Sequence, residues 1–456
     1  MPNNSKTPVP EHPNLQKRKK ILFLLFSPPF FVSLQGDNNN NMTTYTPFAR
    51  PLYVMTKPVG SLCNLACKYC YYLEKSNIYA DEPPRERFSM SDSTLEEFIR
   101  QYIEAQTQPN VLFTWHGGEP LMRPQSFYER ILKLQRQYAR GHIIDNCLQT
   151  NGTLLTDEWC DFFRRNNWLI GISIDGPQEM HDEYRRARGN QPSFFKVMRG
   201  IELLKKHGVE WNAMGVVNDF NADYPLDVYH FYKDIGCQYI QFSPIIERIL
   251  HHADGRHLAS VADDAEGELA DFSVSPEQYG RFCCDIFDEW VQHDVGHIFV
   301  QLFDSTLARW MGVEPGVCAM AETCGHAAVI EHNGDIYSCD HFVFPEYRLG
   351  NIHTDSITGM MYSQRQTDFG QAKRDSLPGQ CRQCQWRFAC NGGCPKDRFR
   401  NTSSGEHGLN YLCAGYRQFF SHVAPYMDFM KHELQNQRPP ANIMQNINNI
   451  KHQQTL

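Results

Sequence analysis

The chain has 456 residues, 41% of them hydrophobic and 12% aromatic, which suffices for two or three domains with cores of their own. A formal net charge of -8 excludes an overall basic field that would draw nucleic acid. Sixteen cysteines in a chain this long exclude a small secreted disulfide scaffold; their clustering points to metal or redox chemistry in a reducing, cytoplasmic compartment.

Residues 1–41 differ in character from the rest of the chain. KRKK precedes ILFLLFSPPFFVSL and then GDNNNN. Basic residues ahead of a short apolar run imitate a secretory signal. Prolines interrupt the run, however, no small-residue cleavage site comes after it, and it is too short to span a bilayer. We expect residues 1–41 to be a leader that is disordered or outside the mature fold, with a targeting role as the alternative, and we expect no membrane partner. The stretch from Met42 reads as the start of a folded domain.

From Tyr53 to Ile246 the chain alternates. Strand-like runs are YVMTKPVGSL, NVLFTWHGG, NCLQTNGT, LIGISIDG, EWNAMGVVN and YIQFSPII. Between them SDSTLEEFIRQYIEAQ opens with capping residues and carries apolar residues at helical spacing. Four more helical segments come after it, and those ending in KKHG and KDIG stop at glycine, as helix C-termini often do. Six strands separated by helices predict a parallel sheet over residues 42–250, either open or a partial barrel, with chemistry at the C-terminal strand ends.

Polar, glycine-rich and cysteine-rich stretches fall at those ends. The first run leads into CNLACKYC, which holds Cys63, Cys67 and Cys70; then come HGGEP (116–120), QTNGT (149–153) and SIDGP (173–177). Each of the last three also suits an ordinary turn or helix start. Together, beside a cysteine triplet, they favour one shared site. Three thiolates suit an iron–sulfur cluster with one iron left open, or zinc completed by a distant His116. Residues 251–310 are expected to be a connecting loop, polar and acidic as far as 279, and a helical segment.

Residues 311–430 carry a second cysteine field: Cys318, Cys324, Cys339, Cys381, Cys384, Cys390, Cys394 and Cys413. Eight thiolates fill two four-iron clusters or, equally, two zinc sites. Cys147, Cys160, Cys237, Cys283 and Cys284 lie in apolar patterns and are expected to be buried small hydrophobes. The tail, 431–456, is rich in Asn and Gln and is expected to be disordered.

C-x3-C-x2-C after a first strand and GGEP after a second resemble the radical S-adenosylmethionine (SAM) enzymes. The resemblance implies an α/β fold with a partial (β/α)6 barrel and a 4Fe–4S cluster at Cys63, Cys67 and Cys70. The open iron of that cluster would bind SAM and yield a deoxyadenosyl radical. It also implies that Gly117, Gly118 and Glu119 meet the SAM amino group, that Tyr69 lies near adenine, that Gln149 and Ser173 line the pocket, and that Arg185 faces the carboxylate. His116 stands where some relatives carry Gln, and its titration near neutral pH is expected to add pH sensitivity.

C-x9-G-x4-C from Cys324 to Cys339, and C-x2-C-x5-C-x3-C from Cys381 to Cys394, resemble the SPASM domain of the same superfamily. That likeness implies two auxiliary clusters, three in all. Cys318, Cys324, Cys339 and Cys394 would hold one; Cys381, Cys384, Cys390 and Cys413 would hold the other. PLYVMTKPVGSLCNLACKYCYYLEK resembles the anaerobic sulfatase-maturating enzymes most of all. Those enzymes oxidise a Cys or Ser of a sulfatase to Cα-formylglycine, and the acid after Cys339, Asp340, would be the base. The implied partners are a sulfatase and an electron donor such as a flavodoxin or ferredoxin. The alternatives are a related enzyme acting on another peptide, and a zinc-stabilised binding protein without catalysis.

Overall fold

The computed structural model describes residues 52–83, 88–252, 255–259 and 267–454. The leader therefore lies outside the described residues. Six strands form at the predicted runs: β1 (Tyr53–Thr56), β2 (Asn110–Trp115), β3 (Ile143–Thr150), β4 (Leu169–Ser173), β5 (Glu210–Val217) and β6 (Tyr239–Pro244). All five neighbouring pairs are parallel. The crossovers carry α1 (Asp92–Glu104), α2 (Gln125–Tyr138), α3 (Asp157–Arg165), α4 (Phe194–His207) and α5 (Pro225–Asp234). The strand order runs β1 to β6 without closing, so the barrel is partial, as expected.

Local chemistry sets the ends of these helices. Ser91 accepts a hydrogen bond from Thr94 N and starts α1; Thr156 does the same with Trp159 N for α3. Gly208, at φ +65°, closes α4 in a left-handed conformation that glycine adopts without strain. The outer faces of the strands pack Phe113, Trp115 and Ile170 against Phe98, Tyr128 and Phe163 of the helices. The inner face has the two-residue period of a strand. It is apolar at the N-terminal ends, where Tyr53, Leu112, Cys147 and Leu169 pack together. It turns polar toward the C-terminal ends with Gln149, Asn212 and Gln241, all buried.

The sheet does not stop at the barrel. On one edge β6 pairs with β7 (Phe299–Val300). On the other, β1 pairs in parallel with β8 (Ala327–Ile330), which continues antiparallel into β9 (Asp335–Tyr337) and β10 (Arg348–Asn351). Ten strands thus run from the barrel into the C-terminal domain. Helices α6 (Pro276–His293) and α7 (Gln301–Trp310) precede β8; α8 (Gln364–Asp375) and α9 (Cys413–Gln435) come after β10. At the α6–α9 crossing, a Cβ on Gly415 would meet Pro276 O at 2.3 Å, so glycine permits the close approach.

Two expectations differ from the structure. The connecting segment contains a three-stranded antiparallel sheet, with Arg248–His252 between Gly255–Leu258 and Glu268–Leu269. Residues 253–254 and 260–266 lie outside the described residues. The tail is helical: α9 runs to Gln435, and Ile447–Gln454 forms another helix. Ile443, Ile447 and Ile450 are buried at helical spacing, a pattern that the Asn-rich composition concealed.

Candidate active site

Cys63, Cys67 and Cys70 lie on the loop after β1, all free and half-buried. Burial pushes the Cys63 thiol up to about 12, with nearby Glu119 adding to it, and the Cys67 thiol up to about 11. The three thiols also raise one another. Such thiols stay protonated until a metal displaces the proton, so they suit coordination better than nucleophilic work. Among the described residues no three Cys, His, Asp or Glu side chains converge closely enough to share a single ion.

The HGGEP strap positions this loop. Gly118 N donates to Gly60 O at 2.8 Å, and Glu119 N donates to Leu62 O at 2.9 Å. Glu119 is fully buried and anchors the strap to the end of β3. Its carboxylate accepts from Leu121 N (2.9 Å), Thr150 Oγ1 (2.8 Å) and Asn151 N (2.8 Å). Burial raises its pKa to about 7 against those three bonds. Asn151 in turn reaches toward Cys63 Sγ, at 3.8 Å.

The other candidate SAM contacts gather on the same face. Gln149 Nε2 donates to Ser173 Oγ at 3.0 Å, while Gln149 Oε1, both amide atoms of Asn212 and Gln241 Nε2 are buried without partners. Buried polar groups are normally hydrogen-bonded, so this unsatisfied row marks room for a polar ligand. Arg185 Nε donates to Asp175 Oδ2 at 2.9 Å, and Tyr69 OH donates to the same oxygen. Burial disfavours the guanidinium charge, but Asp175 outweighs it and keeps Arg185 charged. Asp175, fully buried in SIDGP, was not singled out from the sequence; an acid directly after an apolar strand was the available signal.

Asp340 succeeds Cys339 after β9 and comes back to β1. Lys57 Nζ lies 2.6 Å from Asp340 Oδ1, and Tyr71 OH donates to Oδ2 at 2.6 Å. Burial alone would raise the Asp340 pKa, but the Lys57 ammonium outweighs it and holds the carboxyl well below the usual carboxylate range. Lys57 and Tyr71 were missed in the sequence, where they are simply neighbours of a strand and of a cysteine.

His116 does not behave as expected. Gly117 N donates to its Nδ1 at 2.7 Å, so that nitrogen is an acceptor and the ring is neutral. Burial and Lys57 lower its pKa to about 3, which removes the expected sensitivity near neutral pH. Lys57 Nζ lies 3.5 Å from the same Nδ1, so that nitrogen is not free to ligate a metal.

The eight C-terminal cysteines fall into two groups. The thiol of Cys339 is raised by burial and by Cys318, Cys394 and Cys324. That of Cys390 is raised to about 12 by burial and by Cys413, Cys381 and Cys384. Cys394 therefore sits with the first group, although its sequence neighbours are in the second. Arg398 braces the turn between them, donating to Gly392 O (2.9 Å), Asn391 O (2.8 Å) and Lys373 O (2.5 Å). Cys147, Cys160, Cys237, Cys283 and Cys284 are all buried. No helix among the described residues is long and apolar enough to cross a membrane.

Comparison with known proteins adds to this geometry. Residues 58–232 match the Radical SAM superfamily, and residues 318–385 match an iron-sulfur cluster-binding domain of the SPASM type. The chain is 68% identical over 402 residues to a serine-type anaerobic sulfatase-maturating enzyme of Bacteroides thetaiotaomicron, covering 88% of this chain and 96% of that one. It is 30% identical over 378 residues to a cysteine-type enzyme of Clostridium perfringens, covering 82% of this chain and 97% of the relative. The solved structure of native anSMEcpe with bound AdoMet and the Cp18Cys peptide superposes with a TM-score of 0.73 at 28% identity. It covers 84% of this chain and 99% of that one.

Proposed function

The chain belongs to the anaerobic sulfatase-maturating enzymes, radical SAM oxidoreductases that convert a Cys or Ser of a sulfatase to Cα-formylglycine, and we propose that its own target is serine. Identity of 68% to a serine-type relative, against 30% to a cysteine-type one, supports that choice. The observation that carries the mechanism is the ionised carboxylate of Asp340, held by Lys57 and Tyr71 directly after a cluster cysteine.

Cys63, Cys67 and Cys70 would hold the SAM-binding cluster. The two quartets of Cys318, Cys324, Cys339, Cys394 and of Cys381, Cys384, Cys390, Cys413 would hold two more. When bound, SAM and the first cluster supply the radical that takes the Cβ hydrogen, and an auxiliary cluster takes up the second electron. Tyr69, Gly117, Gly118, Gln149, Ser173 and Arg185 line the pocket for SAM, with Glu119 fixing the strap behind it. Asp175 keeps Arg185 charged and oriented, and the guanidinium suits a carboxylate.

Asp340 then accepts the proton from the substrate hydroxyl. Lys57 makes the carboxylate ready by keeping it ionised, and also makes it a weak base. The hydroxyl beside a carbon radical is far more acidic than an ordinary alcohol, so a weak base suffices. Soluble, cytoplasmic placement and a flavodoxin or ferredoxin donor fit an enzyme whose clusters need a reducing environment.

The test is anaerobic reconstitution with SAM, a reductant and a Ser-x-Pro-x-Arg peptide, and then mass spectrometry for the aldehyde. Serine should be oxidised, and Asp340→Asn should lower aldehyde formation by about 100-fold or more. Oxidation of the Cys version alone would overturn the serine assignment.

A further inference from the structure

Lys75 comes just after the cysteine loop, in the turn Leu73–Tyr79, with 5% of its side chain area exposed. A buried ammonium normally has a carboxylate partner. Among the described residues Lys75 forms no ion pair and no side-chain hydrogen bond; its Nζ lies over the ring of Phe344. It lines a cavity of about 120 Å³ together with Tyr71, Glu247, His341, Phe344 and Lys396.

The other charged groups of that cavity are already engaged. Lys396 Nζ donates to Ile246 O at 2.9 Å and pairs with Asp397 (2.8 Å) and Glu247 (3.5 Å). Glu74, also in the wall, accepts from Leu258 N at 3.1 Å. Among the wall's ammonium and imidazole groups, two nitrogens remain for a ligand: Lys75 Nζ, and His341 Nδ1, which is buried without a partner. Burial lowers the Lys75 pKa to about 8, against the pull of Glu247, which leaves it mostly charged at neutral pH.

The cavity adjoins the reaction centre. Tyr71, whose hydroxyl holds Asp340, forms one wall, and its ring lies 5.1 Å from that of His341. Tyr71 is thus shared by the cavity and by Asp340, which puts the cavity next to any side chain delivered to that carboxylate. We propose that the cavity is a substrate subsite in which Lys75 and His341 bind a main-chain carbonyl of the sulfatase polypeptide beside the residue being oxidised. Lys75 is thus a positioning residue, and the assignment rests on the reading given under Proposed function.

The experiment uses the reconstituted full chain with SAM and no reductant, so that binding is read without turnover. A fluorescent Ser-x-Pro-x-Arg peptide should bind Lys75→Met about tenfold or more weakly than wild type. The melting temperature should not fall, because methionine removes a buried unpaired charge. Replacing one flanking amide of the peptide by an ester, which weakens the carbonyl as an acceptor, should cost affinity in wild type and not in Lys75→Met. Unchanged peptide affinity in Lys75→Met, with wild type forming the aldehyde once reduced, would overturn the subsite alone. Wild type that neither binds nor oxidises the peptide would overturn the functional reading and the subsite with it.

Discussion

Lys57 has 1% of its side chain exposed, beneath the ring of Tyr72 and 2.6 Å from Asp340. Its removal leaves the carboxylate buried with only Tyr71 to orient it. In Lys57→Met we expect aldehyde formation to fall by about tenfold or more while deoxyadenosine still forms. The ratio of the two products, read by chromatography and mass spectrometry, checks this; an unchanged ratio would mean that Tyr71 alone positions the acid. Behind Lys57, Tyr72 donates to Glu331, and His332 lies between Glu331 (3.5 Å) and Glu82 (2.7 Å). Burial disfavours the charged His332 ring, but the two glutamates outweigh it and raise its pKa above 6.5. A raised folded value contributes stability that is full below the unfolded value and lost as pH climbs through the folded one. The apparent melting temperature should therefore fall as pH climbs above 6.5 and through the raised folded value, and His332→Gln should flatten that slope. Ligand cysteines are legible because their spacing is local. Lys57, Tyr71 and Asp175 were not, because their partners come from remote parts of the chain and no local pattern marks the pairing.

The strap from Gly117 to Pro120 and the loop from Gly60 to Leu62 lie back to back. A Cβ on Gly118 would meet Leu62 O at 2.1 Å, a backbone contact that no side-chain rotation relieves. Gly118→Ala should push the cysteine loop away from β2 and lower bound iron by about one cluster's worth, with the C-terminal clusters retained. Iron content and visible absorbance measure it; full loading would mean that the loop is held elsewhere. The glycines of GGEP were thus legible as special, and the structure supplies a backbone reason for the second of them. The five crossover helices were also legible, since capping residues and apolar spacing are local signals. The helix at Ile447–Gln454 was not: its Ile447 and Ile450, in helical spacing with Ile443 of the turn before it, were outweighed by the Asn and Gln around them, although burial depends on the spacing.

At the scale of the molecule, β1 lies between β2 and β8, with Met55 opposite Thr114 and Tyr53 opposite Ala327. The barrel and the C-terminal domain therefore share a sheet, and the strand that leads into the cysteine triplet is the one that pairs with the domain carrying Asp340. Two domains were expected from composition and cysteine spacing. Their fusion was not, because the register of strands so far apart leaves no mark in either segment. The helices repeat the connection: Phe287 of α6 lies 5.7 Å from Tyr426 of α9, and Phe303 of α7 lies 5.9 Å from Phe419. A fragment covering 42–310 would leave β1 as an unpaired edge and uncover these aromatics. Exposing several such rings costs on the order of 10 kcal/mol at about 25 cal/mol per Å². That equals the whole stability of a typical domain, about 5–15 kcal/mol, so packing between the domains decides whether the barrel folds. We expect the fragment to aggregate and the full chain to unfold in one transition, as read by size-exclusion chromatography and calorimetry. A soluble, monomeric fragment that loads iron at Cys63, Cys67 and Cys70 would mean that the barrel holds its own edge and that the shared sheet only orients Asp340.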